Sequence, residues 1–130
     1  MKETTKSWIE FAKKDLIAAE ELLNNAEVAN IVLFHSQQLV EKSIKAILEE
    51  FNIPIRKTHS INILLKLIPE ILRNKLSFNE EIVIMIDEIY FNERYPSEFG
   101  ILPSGFPSQQ KAKEIFDVAV KMHQKCLSVI

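Results

Sequence analysis

The sequence lacks the residues on which several common kinds of site depend. Its single cysteine, Cys126, allows no internal disulfide and no cysteine-based metal centre. Both of its glycines fall in one late loop, so there is no glycine-rich phosphate loop. No apolar run approaches the roughly 18 residues that a membrane-spanning helix needs, and the N-terminus has no signal-peptide apolar region. We therefore expect a cytoplasmic protein.

The sequence also has no large excess of charge of either sign. Its 16 basic and 18 acidic residues leave a net charge of -2, which excludes the global basic footprint of a non-specific nucleic-acid-binding protein but leaves room for a local basic groove. Hydrophobic residues make up 47% and charged residues 26%, as in ordinary globular proteins. The length of 130 residues predicts one domain, over residues 1–130.

The spacing of apolar residues predicts helices throughout. We predict five of them, over residues 7–23, 26–51, 60–72, 77–90 and 108–127, with Ser7 and Ser77 opening capping boxes. Pro69 is expected to kink or shorten the third helix. A loop of about fifteen residues precedes the last helix, and loops of that length are more often functional than idle. The predicted fold class is all-α, an antiparallel up-and-down four-helix bundle with one short extra helix.

A row of hydrogen-bonding side chains on the second predicted helix is the most informative feature of the sequence. Its members recur at steps of three or four residues and so share one helix face: His35, Gln38, Lys42 and Lys45. Glu41 lies beside this row, one turn before Lys45. The rest of the helix is largely apolar, which predicts burial. The row therefore needs partners within the fold, across an oligomer interface or on a ligand.

Asp15 is expected to be one of those partners. It falls between Ala12 and Ala19, on or near the apolar face of the first helix. Because a buried carboxylate without a partner is costly, we predict an internal ion pair with Lys42 or Lys45. A ligand or metal contact is the alternative interpretation.

Two further segments carry groups suited to anions. Arg56, Lys57 and His59 lie just before the third helix, where cations and free helix amides together make an anion site. Arg94 ends the fourth helix as a planar donor for a phosphate or a nucleobase, with Tyr95 as a stacking surface. An ion pair or a helix cap is the alternative role for Arg94. The three histidines lie on separate elements without metal-ligand spacing.

Four groups of residues, in this order, resemble the HEPN family (higher eukaryotes and prokaryotes nucleotide-binding domains). They are Trp8, Ala12, Asp15, Leu16 and Ala19, followed by the stretches 34–46, 57–65 and 90–96. The resemblance covers about residues 7–127. It implies a helical bundle that commonly forms homodimers. It also implies a prokaryotic protein paired with a minimal nucleotidyltransferase in a system like a toxin–antitoxin pair.

One departure from that family bears on catalysis. Some members are metal-independent ribonucleases that use an arginine followed by a histidine four to six residues later. No histidine follows Arg94 at that distance, and Arg56 is too close to His59. We therefore predict no catalytic residue, no metal and no cofactor. An RNA endonuclease toxin whose Arg94 is completed by His59 or His123 is the first alternative, and a structural partner without a ligand is the second.

The predicted function is a dimeric module that binds a nucleotide or an RNA phosphate. Its expected ligand contacts are cations, orienting polar groups and one stacking ring: Lys42, Lys45, His59 and Arg94, then Gln38 and Glu41, then Tyr95. The dimer contact is expected on an apolar face of the fourth helix that contains Ile82, Met85, Ile86 and Ile89. Burial of that face inside the bundle is the competing interpretation.

Overall fold

This computed structural model describes residues 1–94 and 107–130, with side chains for all of them except 91–94. Helices form all of the regular secondary structure in these residues. Four helices are long: α1 (Glu3–Leu22), α2 (Ala29–Glu50), α5 (Glu80–Arg94) and α6 (Gln109–Val129). A 3-10 turn (Ala26–Val28) joins α1 to α2, and the short helices α3 (Ile61–Leu67) and α4 (Glu70–Leu76) join α2 to α5. The all-α prediction and its four long helices are confirmed.

The predicted third helix is two short helices because of Pro69. The residue before a proline avoids the helical region, and Ile68 is accordingly extended, with φ -75° and ψ 131°. Ser77 then ends α4 in the left-handed region, with φ 49°. Asn79 begins α5, because its side-chain oxygen accepts hydrogen bonds from the backbone N–H groups of Glu81 and Ile82. The predicted capping box at Ser77 is therefore wrong.

The first helix begins one turn earlier than its capping pattern predicts. Ser7 lies inside α1, where its hydroxyl donates to the carbonyl of Glu3 at 3.2 Å. The extra turn is stabilised by contacts with the end of α2, which the local sequence cannot show. Thr4 and Thr5 donate their hydroxyl protons to the two consecutive glutamates at that end, over 2.8 and 3.1 Å.

α2 is the central helix of the bundle and packs against α1, α3, α5 and α6. Most of its apolar residues are buried, and Leu39, Ile44, Ile47 and Leu48 are completely inaccessible to solvent, whereas Ile31 is 38% exposed. The burial predicted for this helix is confirmed. None of the described helices combines the length and apolar character that crossing a bilayer requires.

The apolar face of α5 points into the bundle. Ile86 and Ile89 are buried in the core, and Ile82 and Met85 pack against the same core while partly covered. The competing interpretation, burial inside the bundle, therefore holds for Ile86 and Ile89, while a dimer contact through the partly covered Ile82 and Met85 stays a prediction.

Candidate functional site

Asp15 of α1 is the first of two carboxylates that bond to the polar row of α2. Its Oδ1 lies 2.8 Å from Nδ1 of His35, and its Oδ2 lies 2.6 Å from Nζ of Lys42. Ala12 and Ala19 on either side are fully buried, so α1 comes close to α2 at this level. The predicted ion pair between Asp15 and Lys42 is confirmed. The fold itself neutralises this carboxylate, so no ligand is needed to explain its burial.

The second centre is Glu41, a nearly inaccessible carboxylate of α2 whose neighbours donate to it from two elements. Oε1 accepts hydrogen bonds from the side-chain amides of Gln37 and Gln38, over 3.3 and 3.4 Å. Oε2 lies 3.0 Å from Nζ of Lys45. From the loop before α3, Nδ1 of His59 reaches Oε1 at 3.2 Å. The polar row thus divides into two sets. His35 and Lys42 contact Asp15, and Gln38 and Lys45 contact Glu41.

His59 is the exposed member of the Glu41 centre. Half of its side chain is open to solvent. Its ring stacks on Tyr90 of α5, with 4.3 Å between centroids and 13° between planes. Gln37 donates to its backbone carbonyl at 3.0 Å. With Nδ1 directed to a carboxylate, the neutral ring has its lone pair on Nε2. The ring is therefore held in one orientation with a basic nitrogen on its other edge.

The loop that carries His59 is tied to α5 by Asp87. The Asp87 carboxylate accepts hydrogen bonds from the Ser60 hydroxyl at 2.9 Å and from the backbone N–H groups of Ile61 and Asn62 at 2.5 and 3.1 Å. Ser60, rather than Thr58, is the N-cap of α3. The first amides of α3 are thus occupied by a carboxylate of the same chain. The helix amides are therefore not available to the anion site predicted here, and the binding of an anion by the cations of the loop stays a prediction.

The lysines of the row are paired rather than open. The side chains of Lys42 and Lys45 are 24% and 11% exposed, and each neutralises a buried carboxylate. Nζ of Lys45 also lies 5.4 Å from the centroid of the Trp8 ring. The exposed cations near His59 are Arg56 and Lys57 of the same loop. Contact of either paired lysine with a ligand stays a prediction, as it does for Gln38 and Glu41.

Arg94 lies at the same end of α5. Arg94 is the last residue of the helix, four positions after Tyr90 and therefore one turn further on. The side chain of Arg94 and the whole of Tyr95 lie outside the described residues. Their ligand contacts stay predictions.

His123 of α6 has a contact that the sequence did not suggest. Its Nδ1 lies 2.7 Å from the Ser43 hydroxyl, which in turn lies 2.6 Å from the carbonyl of Leu39. The hydroxyl has one proton, which it donates to that carbonyl, so His123 donates to Ser43. Burial, with a smaller effect of the positive charge of Lys13, lowers the pKa of His123. His123 is thus a neutral, internally bonded side chain that joins α6 to α2.

Cys126 and His35 are less suited to chemistry than His59, since the thiol is buried and the His35 side chain is 27% exposed against 50% for His59. Burial raises the pKa of the Cys126 thiol to about 12, which leaves it protonated and inert at neutral pH. Among the side chains placed in residues 1–90 and 107–130, no three histidine, cysteine or acidic groups lie close enough to hold a metal ion. The Glu41 centre with the His59 ring is consequently the best candidate site.

Three side chains of this site were absent from the residues predicted to contact a ligand: Gln37, Asp87 and Tyr90. Asp87 and Tyr90 share a helix face with Arg94 at spacings of three and four, a signal visible in the sequence. That spacing did not show that the face meets the loop around His59. Gln37 lies one residue before Gln38, outside the spacing of the row, and gave no periodic signal.

Comparison with known proteins identifies the family and the fold. A sequence model of the HEPN domain matches residues 5–129. The crystal structure of ST0689, an archaeal HEPN homologue, is similar with a TM-score of 0.73 and 25% identity over 98% of each chain. TT1696 from Thermus thermophilus has the same fold, with a TM-score of 0.80 and 23% identity over 99% of this chain and 100% of that chain. No protein of curated function matches the sequence.

Proposed function

Because the chain belongs to the HEPN domain family, we propose that it is a nucleotide- or RNA-phosphate-binding module. In this proposal it acts as a homodimer and pairs with a minimal nucleotidyltransferase, as in a toxin–antitoxin system. The observation that carries the binding role is the ring of His59. It is half exposed, fixed through Nδ1 by the buried Glu41, and stacked on Tyr90.

The charges around His59 support a phosphate as the group that binds. Glu41 and Lys45 neutralise each other beneath the ring, so the buried layer adds no net charge of its own. Arg56 and Lys57 are exposed in the same loop and supply the positive charge. A phosphate oxygen accepts a strong hydrogen bond from a protonated imidazole or a guanidinium. The loop thus offers a local basic patch, and Nε2 of His59 becomes a directed donor when the ring is protonated.

Titration calorimetry with a mononucleotide and with a short single-stranded RNA tests this site. We expect saturable binding to the wild-type protein, and an affinity about tenfold or more lower in His59→Ala, because one charge-assisted hydrogen bond is lost. Arg94→Gln should also weaken binding if the end of α5 contributes. Lys121→Gln, which removes an exposed lysine of α6, is the control and should bind as the wild type does.

Two results would overturn the binding role. One is the absence of saturable binding to the wild-type protein by either ligand. The other is an unchanged affinity in His59→Ala, provided that circular dichroism shows the variant to be folded.

A second candidate function, a metal-independent RNA endonuclease, is favoured by the Glu41–His59 pair. In-line attack on a phosphodiester forms a bond from the RNA 2′-oxygen to phosphorus and breaks the bond to the 5′-oxygen. The attacking hydroxyl must lose a proton, and the phosphorus centre gains negative charge. Nε2 of His59 is suited to accept the proton, with Glu41 orienting the ring, and Arg94 would stabilise the charge. His123 is unsuited because it is buried and bonded to Ser43.

Expression of the chain in a bacterial host, with cellular RNA analysed in parallel, tests this second function. We expect growth arrest and RNA cleavage that fall by about 100-fold or more in His59→Ala and in Arg94→Ala, the usual size of a lost acid–base group. His123→Asn and Lys121→Gln should keep the activity. Normal growth with intact RNA on wild-type expression would rule the endonuclease out, without affecting the binding role.

The proposed partners follow from family membership and have their own test. On the apolar face of α5, the partly covered Ile82 and Met85 are the side chains open to a dimer contact, because Ile86 and Ile89 are buried in the core. Sedimentation of the purified chain should give the mass of two copies. Co-expression with a small nucleotidyltransferase encoded beside it should give one complex on size exclusion. A monomer, or two separate peaks, would count against the homodimer or the partnership respectively.

A further inference from the structure

A concave region, the α3–α5 groove, has no bordering residue in common with the Glu41 centre. It is bordered by α3, α4 and the first turns of α5, and its volume is about 460 Å³. The groove exists because Pro69 breaks the chain between α3 and α4, and because the left-handed Ser77 turns it back toward α5.

The groove has an apolar floor and a polar rim. Leu65, Leu76 and Val83 form the floor and are buried, and Phe78 lies beside them partly covered. The rim carries amide and hydroxyl groups and three charged side chains, which are Lys66, Arg73 and Glu80. One positive charge is therefore in excess. A pocket of 300–1,000 Å³ with apolar walls and a few polar groups is typical of small-molecule sites.

Arg73 is the side chain that indicates which ligand would fit. It is half buried, and its guanidinium has no hydrogen bond or ion pair with any side chain or carbonyl in the part of the chain that the structure describes. This is so although Glu70 lies three residues before it on α4 and Glu80 borders the same groove. A partly desolvated charge without a partner is costly, and an anion in the groove would remove that cost. The planar guanidinium pairs with a carboxylate or a phosphate through two parallel hydrogen bonds.

The geometry points to a second ligand site, in which the α3–α5 groove binds a small organic anion. The ligand is a carboxylate or phosphate monoester joined to an apolar or aromatic group. Arg73 holds the anionic group, Lys66 adds a second positive charge, and the apolar part lies on Leu65, Phe78 and Val83. This site is independent of the proposed function, because the two regions share no residue.

Backbone amide NMR with phenyl phosphate as the probe tests the site. We expect saturable shifts of the amides of α4 and of residues 76–78, and an affinity about 10- to 100-fold lower in Arg73→Met, which keeps a long side chain but no charge. Lys75→Met is the matched control, because Lys75 is exposed on the same helix and does not border the groove. It should bind as the wild type does. Phenylacetate should shift the same amides.

The ligands themselves provide further controls. Benzyl alcohol, which is neutral, and inorganic phosphate, which has no apolar part, should each bind much more weakly than phenyl phosphate. His59→Ala should leave these shifts unchanged, so failure here is distinguishable from failure at the His59 site. The inference is overturned by any one of three results: no saturation up to about 10 mM phenyl phosphate, equal binding by folded Arg73→Met, or equal binding by benzyl alcohol or inorganic phosphate.

Discussion

Replacing Glu41 with leucine is expected to lower the free energy of unfolding by about 3–5 kcal/mol, the usual cost of removing one partner from a buried ion pair. The volume is nearly kept, so the effect comes from the polar groups that lose their acceptor. The ammonium of Lys45, 11% exposed, would be left as an uncompensated charge. The amides of Gln37 and Gln38 would each lose a hydrogen bond to Oε1. Urea unfolding followed by circular dichroism measures the change.

A double variant separates the lost pair from other effects of the substitution. Because Glu41→Leu combined with Lys45→Leu removes both charges, it should be clearly more stable than Glu41→Leu alone. If instead the free energy of unfolding of Glu41→Leu falls by less than about 1 kcal/mol, the Lys45 ammonium has reached solvent. The Glu41 contacts would then contribute little to the stability of the fold. Binding by the single variant should also fall, because the carboxylate that fixes the His59 ring is gone.

Truncating Ile44 to alanine should cost about 2–5 kcal/mol, as large-to-small changes in close-packed cores do. Ile44 is fully buried on α2 and belongs to the core that α2 forms with α3, α5 and α6. Removing three carbons there leaves a cavity that several helices enclose. A shift of one helix is not enough to close this cavity. The same urea experiment, at constant protein concentration, gives the value.

The matched control makes the same chemical change on the surface. Ile84 is 52% exposed within the long helix α5, so Ile84→Ala should alter stability by no more than about 0.5 kcal/mol. Both substitutions gain similarly in helix propensity, so that contribution cancels in the comparison. Equal losses in the two variants would contradict the central position of α2.

The main helices could be predicted because they depend on local periodicity. Apolar residues at steps of three and four identify α2 and α6 without any knowledge of the fold. The start of α1 could not be predicted, because its first turn is held by Thr4 and Thr5 against the far end of α2. Pro69 shortens the third helix, as predicted, so that α3 ends at Leu67. The separate helix α4 that follows Pro69 was not predicted.

In the site, too, some contacts follow from the local sequence and others depend on residues far apart in the chain. The pairing of Asp15 was predictable, because a carboxylate between two buried alanines must find a cation. The division of the polar row was not, since steps of three and four place all of its members on one face. Which neighbouring helix each side chain meets is decided by packing. The contacts of His59 with Tyr90 and of Ser43 with His123 join residues 31 and 80 positions apart, beyond any local pattern.

The polar contacts that α2 makes through Asp15, Glu41 and Ser43 are completed at different stages of chain synthesis. Asp15 has both of its partners once residue 42 has been made, so the hairpin of α1 and α2 is sufficient to pair this carboxylate. Glu41 receives its last donor with residue 59. Ser43 has its partner only when residue 123 has been made. A nascent chain therefore has part of the central helix uncovered until α6 has emerged and packed, so α6 is the helix that closes the bundle.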